Sequence, residues 1–204
     1  MHVACLDFEG VLIPEVWEAV AERHGIDALR LTTRDIPDFG ELMAHRVKAM
    51  NEHGLTLGDV HAAVAGMAPL PGAVEFVDWL RARFQFAIIS DTFYEFVGPL
   101  VTALGSPMLL CHTLEADADG RITEIRLRQP DPKRACVKAF QSLRYRVVAT
   151  GDSYNDIPML QQADAGIFFC PSDKVRNDYP DMPVAGSYDD LKAFFSSAFS
   201  GGSG

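Results

Sequence analysis

Cys5-Leu6-Asp7-Phe8-Glu9-Gly10-Val11-Leu12 decides how this chain is read. The apolar run Val3–Leu6 ends abruptly in an acid, and a second acid and a glycine follow within three residues. Short apolar runs without a period of two belong to strands buried on both faces, as in a parallel sheet covered by helices. More runs of this kind follow at Phe86–Ile89, Met108–Cys111, Val147–Thr150 and Ala165–Phe169. Helical patterns separate them over Ala73–Arg83, Tyr94–Leu104, Pro132–Leu143 and Pro158–Ala163. This alternation predicts an α/β protein with a doubly wound, Rossmann-like parallel sheet.

From Pro14 to about Met67 the rhythm breaks. That stretch carries helical segments only, at Pro14–His24, Phe39–His53 and Leu57–Ala65. It is too long for a plain crossover and reads as an inserted helical cap, with Gly10 and Pro69-Leu70-Pro71-Gly72 as hinges. The expected division is a core of residues 1–13 and 70–199, a cap of 14–69 and a disordered Gly/Ser tail of 200–204. Leu114–Arg128 predicts a small β-hairpin turning at Asp117-Ala118-Asp119-Gly120. Those aspartates lack the remaining ligand positions of a calcium loop.

Composition narrows the function. A chain of 204 residues, 48% hydrophobic and 23% charged, can bury a sizeable core without staples. Its net charge of −10 argues against nucleic acid or an anionic membrane surface as partner. An anionic substrate must then be attracted locally, by a metal or a few cations. Cys5, Cys111, Cys136 and Cys170 form no C-x-x-C pair, and Cys5 and Cys170 sit in strand-like apolar runs, so buried reduced thiols are expected. The opening lacks a basic start and no apolar run approaches bilayer length, so a cytoplasmic protein is expected.

In doubly wound sheets ligands bind at the carboxyl ends of the strands. Those ends carry Asp7-Phe8-Glu9, Ser90-Asp91-Thr92 and Gly151-Asp152-Ser153-Tyr154-Asn155-Asp156, while Lys133 opens the helix before the fourth strand. The set suits phosphoryl transfer. Asp7 can attack phosphorus as a nucleophile. Asp7 and Asp152 can hold Mg²⁺, a hard cation that takes one or two carboxylates. Ser90 and backbone N–H groups can hold phosphate oxygens, and Lys133 can balance the gathered negative charge. Glu9 can protonate the leaving oxygen and then activate water.

Plainer roles exist for most of these residues. Thr92-Phe93-Tyr94-Glu95 and Ser153-Tyr154-Asn155-Asp156 match helix capping boxes, Pro14-Glu15 suits a helix's first turn, and Arg46 could face solvent. Lys133 and Arg134 break a rule instead, since the helix dipole disfavours cations in a first turn.

Asp7-Phe8-Glu9-Gly10-Val11-Leu12, Ser90, Lys133 and Gly151-Asp152-x-x-Asn155-Asp156 resemble, in order, the four motifs of the haloacid dehalogenase superfamily. The helical block resembles the cap of its phosphoserine phosphatase branch. A closer likeness, to the bifunctional phosphoserine phosphatase/homoserine phosphotransferase proteins, is carried by Leu6–Leu12, by Thr33-Arg34-Asp35-Ile36-Pro37, by Ser90-Asp91-Thr92-Phe93-Tyr94-Glu95-Phe96 and by Gly151–Asp156.

The resemblance implies Asp7 as nucleophile and Mg²⁺ held by Asp7, the Glu9 carbonyl and Asp152, with Asp156 supporting the metal shell or Lys133. Ser90, Lys133 and Asn155 would surround the phosphate, and Asp91, beside Ser90, is counted with the substrate-binding residues. Glu15 would meet a substrate ammonium and Arg46 a carboxylate, pairings that chemistry favours. The substrate implied is O-phospho-L-serine, a small phosphorylated amino acid, with phosphoryl transfer to homoserine as a second activity, and the likeness suggests a homodimer.

Most phosphatases of the superfamily carry Asp where this chain has Glu9. The extra methylene shifts the carboxyl by more than about an ångström, enough to misplace a hydrolytic water. Two other readings stay open: a phosphatase of another small phosphomonoester, and a phosphoaccepting signalling module in which Asp7 is the switch.

Overall fold

A computed structural model describes residues 1–33, 35–36 and 38–200 of the chain. Arg34 and Pro37, and the tail 201–204, lie outside the described residues. The chain opens with strand β1 (His2–Leu6), then makes three helices, α1 (Val16–His24), α2 (Phe39–Glu52) and α3 (Leu57–Val64). Helix α4 (Ala73–Arg81) leads to β2 (Gln85–Phe93), followed by α5 (Tyr94–Ala103) and the hairpin β3 (Leu109–Ala116) and β4 (Ile122–Arg126). After α6 (Pro132–Ser142) come β5 (Arg146–Gly151), α7 (Ile157–Gln162) and β6 (Ala165–Phe169). Helix α8 (Asp173–Asp178), β7 (Val184–Ala185) and α9 (Tyr188–Ser200) complete it.

The strands form one sheet of order β4-β3-β2-β1-β5-β6-β7, parallel except for β4. Successive strands step outward from β1 to one side and then, from β5 on, to the other. The reversal places the topological switch point between β1 and β5, where such sheets bind ligands. Both sheet faces are buried, which explains the unbroken apolar runs. Ala4, Leu6, Ile88, Val148 and Ile167 pack with Phe76 and Leu80 of α4 and Leu191 and Phe195 of α9. The alternate residues Val3, Cys5, Val147, Ala149 and Phe168 pack with Val137, Leu160 and Val175 of α6, α7 and α8. Each Val, Leu, Ile or Phe side chain so withdrawn from water contributes roughly 1.5–3 kcal/mol.

The helices α1 to α3 between β1 and β2 are bounded by local signals. Gly25 ends α1 in a left-handed conformation, Asp38 caps α2 by accepting the Glu41 N–H at 2.9 Å, and Thr56 and Asp59 form a capping box on α3. Trp17 of α1 meets Phe96 of α5 edge-on. The hairpin turn also reaches these helices, because the Leu57 N–H donates to the Gly120 carbonyl at 2.8 Å. The two crossings between this block and the sheet lie side by side: the Leu70 N–H donates to Leu12 O at 2.9 Å, and Tyr188 Oη donates to Val11 O at 2.7 Å.

Several local expectations need correction. Strand β2 runs through Ser90-Asp91-Thr92 to Phe93, with an irregular register against β3 between Ile89 and Phe93. Thr92 is therefore a strand residue, and the capping box expected at Thr92–Glu95 does not form, since Phe93 precedes α5 without a side-chain cap. Helix α1 begins at Val16, so Pro14-Glu15 lies before it, with Glu15 extended. Cys170 falls one residue past β6, at φ 44°, and is exposed; Cys5, Cys111 and Cys136 are buried, and all four are free thiols. Ser200 belongs to α9, not to the tail.

Candidate active site

Asp7 stands at the carboxyl end of β1, and its N–H donates to Thr150 O of the neighbouring β5 at 3.0 Å. That bond holds the ends of the two central strands together and sets Asp7 beside Asp152. The approach is too close for any side chain at Gly10, whose φ is 77°: a Cβ there would lie 2.6 Å from Asp152 Cγ. Gly151 is required for a similar reason, because a Cβ would lie 2.2 Å from Asp156 Cγ. Two glycines of the motifs thus exist to let carboxylates converge.

Lys133 is the single ammonium at their centre among the described residues. It is 2% exposed, with Nζ 2.6 Å from Asp156 Oδ1, 2.9 Å from Asp7 Oδ1 and 3.8 Å from Asp91 Oδ2. This explains a cation in the first turn of α6: the carboxylates outweigh the dipole. Burial alone would lower its pKa, yet Asp156, Asp7 and Asp91 hold it well above the ordinary lysine value. The next cation, Arg134, is satisfied separately by Asp131 at 3.1 Å.

The acids feel the crowding. Burial, then the charges of Asp156 and Asp152, push Asp7 well above the usual carboxylate range, with Lys133 opposing. Burial and Asp156 raise Asp152 to about 7. Asp91 goes the other way: burial would raise it, but Lys133, His112 and Asn155 bring it to about 2. Asp7, Asp91, Asp152 and Asp156 therefore surround one lysine with an excess of negative charge, an arrangement that asks for a further cation.

Asp7, Asp152 and Asp156 present oxygens within 4.8 Å of one another, a spacing that could hold a metal ion. Asp152 Oδ1 is buried without a hydrogen-bond partner, as suits an atom reserved for a metal. Asp156 is more committed. Its Oδ1 takes the Lys133 ammonium, and its Oδ2 accepts the N–H groups of Asp152 at 2.9 Å and Ser153 at 3.0 Å. Part of this is the capping box expected at Ser153–Asp156, formed on a short 3-10 turn. Capping and site-building are here one device. The hard oxygen set fits Mg²⁺.

A cleft of about 260 Å³ opens over these groups, lined by Asp7, Glu9, Glu15, Arg46, Ser90, Asp91, Asp152 and Asn155 among others. Glu9 accepts the Val16 N–H at 3.0 Å, so the loop after β1 and the start of α1 are tied together. Burial and the neighbouring Glu15 raise Glu9 to about 8. Ser90 is 3% exposed, and its Oγ accepts the Thr92 N–H at 3.2 Å. Asn155 donates to Asp91 Oδ2 at 3.0 Å.

Arg46 does not face solvent. It is buried on α2, its guanidinium 5.0 Å from the Trp17 ring centroid and donating to Leu31 O at 2.8 Å. Its Nε is buried without a partner, and burial lowers its pKa to about 10 despite the nearby Glu9 and Glu15. Every site residue named from the sequence thus lines this cleft or stands directly behind it. The sequence reading missed Trp17, Thr32, Phe39, Leu42 and Tyr154 in the cleft wall, and His112 behind Asp91. Trp17, Phe39 and Leu42 lie on α1 and α2, where an aromatic or apolar residue reads as core and no local spacing marks it.

Residues 1–164 match the haloacid dehalogenase-like hydrolase family. Over 200 residues the chain is 56% identical to the phosphoserine phosphatase ThrH of Pseudomonas aeruginosa, covering 98% of each. It is 55% identical over 195 residues to a phosphoserine phosphatase of Pseudomonas syringae pv. tomato, covering 96% of this chain and 82% of that one. A substrate-bound phosphoserine phosphatase structure superposes with a TM-score of 0.79 at 19% identity, covering 95% and 97% of the two chains.

Proposed function

The chain belongs to the haloacid dehalogenase-like hydrolases, and on that premise we propose that it is a Mg²⁺-dependent phosphoserine phosphatase acting through an aspartyl-phosphate on Asp7. The observation that carries the reading is Asp7 Oδ1 held 2.9 Å from the buried Lys133 ammonium, beside the unpartnered Asp152 Oδ1. An Asp serving only to end a strand needs neither.

Magnesium bound by Asp7, Asp152 and the Glu9 carbonyl would supply the positive charge that lets an anionic nucleophile approach a phosphate dianion. Asp156 supports the ligand loop and Lys133 from behind, its oxygens already in hydrogen bonds. Lys133, Ser90 and the second N–H of the Asn155 amide hold phosphate oxygens. The free oxygen of Asp7 attacks phosphorus and the P–O bond to serine breaks. Glu9, protonated near neutrality by its burial, gives its proton to the departing serine oxygen. The resulting Glu9 carboxylate takes a proton from water, whose oxygen attacks phosphorus, freeing phosphate and restoring Asp7.

Glu15 and Arg46 select the amino acid, Glu15 meeting the ammonium and the orphan Nε edge of Arg46 the carboxylate. Helices α1 to α3 act as the cap, excluding water as they seat over the substrate. Homoserine, a hydroxyl-bearing amino acid of the same pattern, can replace water as acceptor, making transfer the second activity.

Phosphate release with Mg²⁺ over a panel of phosphomonoesters, with and without homoserine, tests this reading. O-Phospho-L-serine should be preferred and Arg46→Ala should abolish the preference. Unchanged phosphoserine turnover by Arg46→Ala would move the reading to another small phosphomonoester.

A further inference from the structure

Asp91 poses a problem for a site that takes an anion. It follows Ser90 directly and lines the cleft, so its charge repels phosphate unless it is consumed. Three groups consume it. Asn155 Nδ2 donates to Oδ2 at 3.0 Å, Lys133 Nζ lies 3.8 Å from the same oxygen, and His112 Nε2 lies 3.4 Å from Oδ1. The first two belong to the phosphoryl site. His112 does not: it comes from β3, is 2% exposed and lines no part of the cleft.

Its ring is fixed on all sides. His112 Nδ1 accepts the Arg128 backbone N–H at 3.1 Å, which assigns the ring proton to Nε2, facing Asp91. Phe93 of β2 and Phe39 of α2 lie against the ring, with centroids 5.9 and 5.5 Å away. A carboxylate held by one oxygen can swing; one held by both cannot.

We propose that His112 is a positioning residue, locking the Asp91 carboxylate so that Asn155 and Lys133 stay aimed at the transferring phosphoryl group. The inference rests on the proposed phosphatase reading of the cleft. It predicts that His112 matters to turnover although it touches neither substrate nor metal.

The test is steady-state phosphoserine hydrolysis with Mg²⁺ by the whole protein, with thermal unfolding of each variant in parallel. His112→Leu should lower kcat by about tenfold or more while changing KM less, since orientation counts most in the transition state. His112→Gln, whose amide nitrogen can stand where Nε2 stood, should recover most of the loss. Asp91→Asn and His112→Leu should be non-additive, because they break one linkage.

A His112→Leu protein with a lowered Tm but wild-type kcat and KM would overturn the inference, as would multiplying effects in the double variant. Should His112→Leu not fold, His112→Gln is compared with His112→Asn, whose shorter amide cannot reach Asp91; equal activity of the two refutes the linkage. A wild-type protein that hydrolyses no phosphomonoester would sink the phosphatase reading itself, and this inference with it.

Discussion

Lys133 and Asp156 form an ion pair 2.6 Å long at side-chain exposures of 2% and 0%. A buried pair is costly to break on one side only, because the survivor keeps its desolvation penalty. Asp156→Ala leaves Lys133 the carboxylates of Asp7 and Asp91 but orphans the Asp152 and Ser153 N–H groups, and should lower stability by about 1–3 kcal/mol. Urea unfolding monitored by circular dichroism measures it, and a loss below about 1 kcal/mol, the range of an exposed pair, would contradict the account.

Removing the cation instead targets chemistry. Lys133→Met leaves Asp7 without its 2.9 Å partner and the phosphate without an ammonium. Phosphate release should fall by about 10²-fold or more, the usual cost of a lost charge-stabilising donor. A drop confined to KM would assign Lys133 to binding alone.

Asp91 gives a pH prediction. Its folded pKa, about 2, lies below its ordinary 3.8, so its ionised form is favoured by folding. The stability it contributes is present above the ordinary value and is lost as pH falls through about 2. It amounts to on the order of 2 kcal/mol. Unfolding free energies of wild type and Asp91→Asn should converge as pH drops from about 4 to about 2. Parallel curves would show that Asp91 is not held ionised.

Glu9 should decide where the phosphoryl group goes. Its longer side chain is fastened by the Val16 N–H at 3.0 Å. Glu9→Asp should raise hydrolysis relative to transfer to homoserine, read as the ratio of free phosphate to phosphohomoserine. An unchanged ratio removes Glu9 as the cause.

Much of the fold was legible in the residues. Apolar runs marked the strands because burial on both faces removes alternation, and α2 and α5 begin at Phe39 and Tyr94 as the helical pattern predicts. The candidate site was legible where a carboxylate follows a strand directly, at Asp7 and Asp152, whereas Ser90 lies inside β2. Tertiary facts were not. Strand β7 is two residues long and made only by pairing with β6. Helix α9 places Leu191, Phe195 and Phe199 four apart on its buried face, but only its packing on the sheet makes that face a buried one. By its residues alone Arg46 fitted a surface charge as well as the carboxylate partner that the resemblance implies, because nothing local shows that Trp17 covers it. His112 meets Asp91 only through the pairing of β3 with β2.

The central claim is covalent: Asp7 carries the phosphoryl group. Rapid acid quench of the enzyme turning over O-phospho-L-serine with Mg²⁺, followed by peptide mass spectrometry, tests it most directly. The account predicts a phosphorylated peptide containing Asp7, absent from an Asp7→Asn protein that releases no phosphate. Sustained turnover by Asp7→Asn, with deamidation back to Asp excluded by the same spectra, would contradict it.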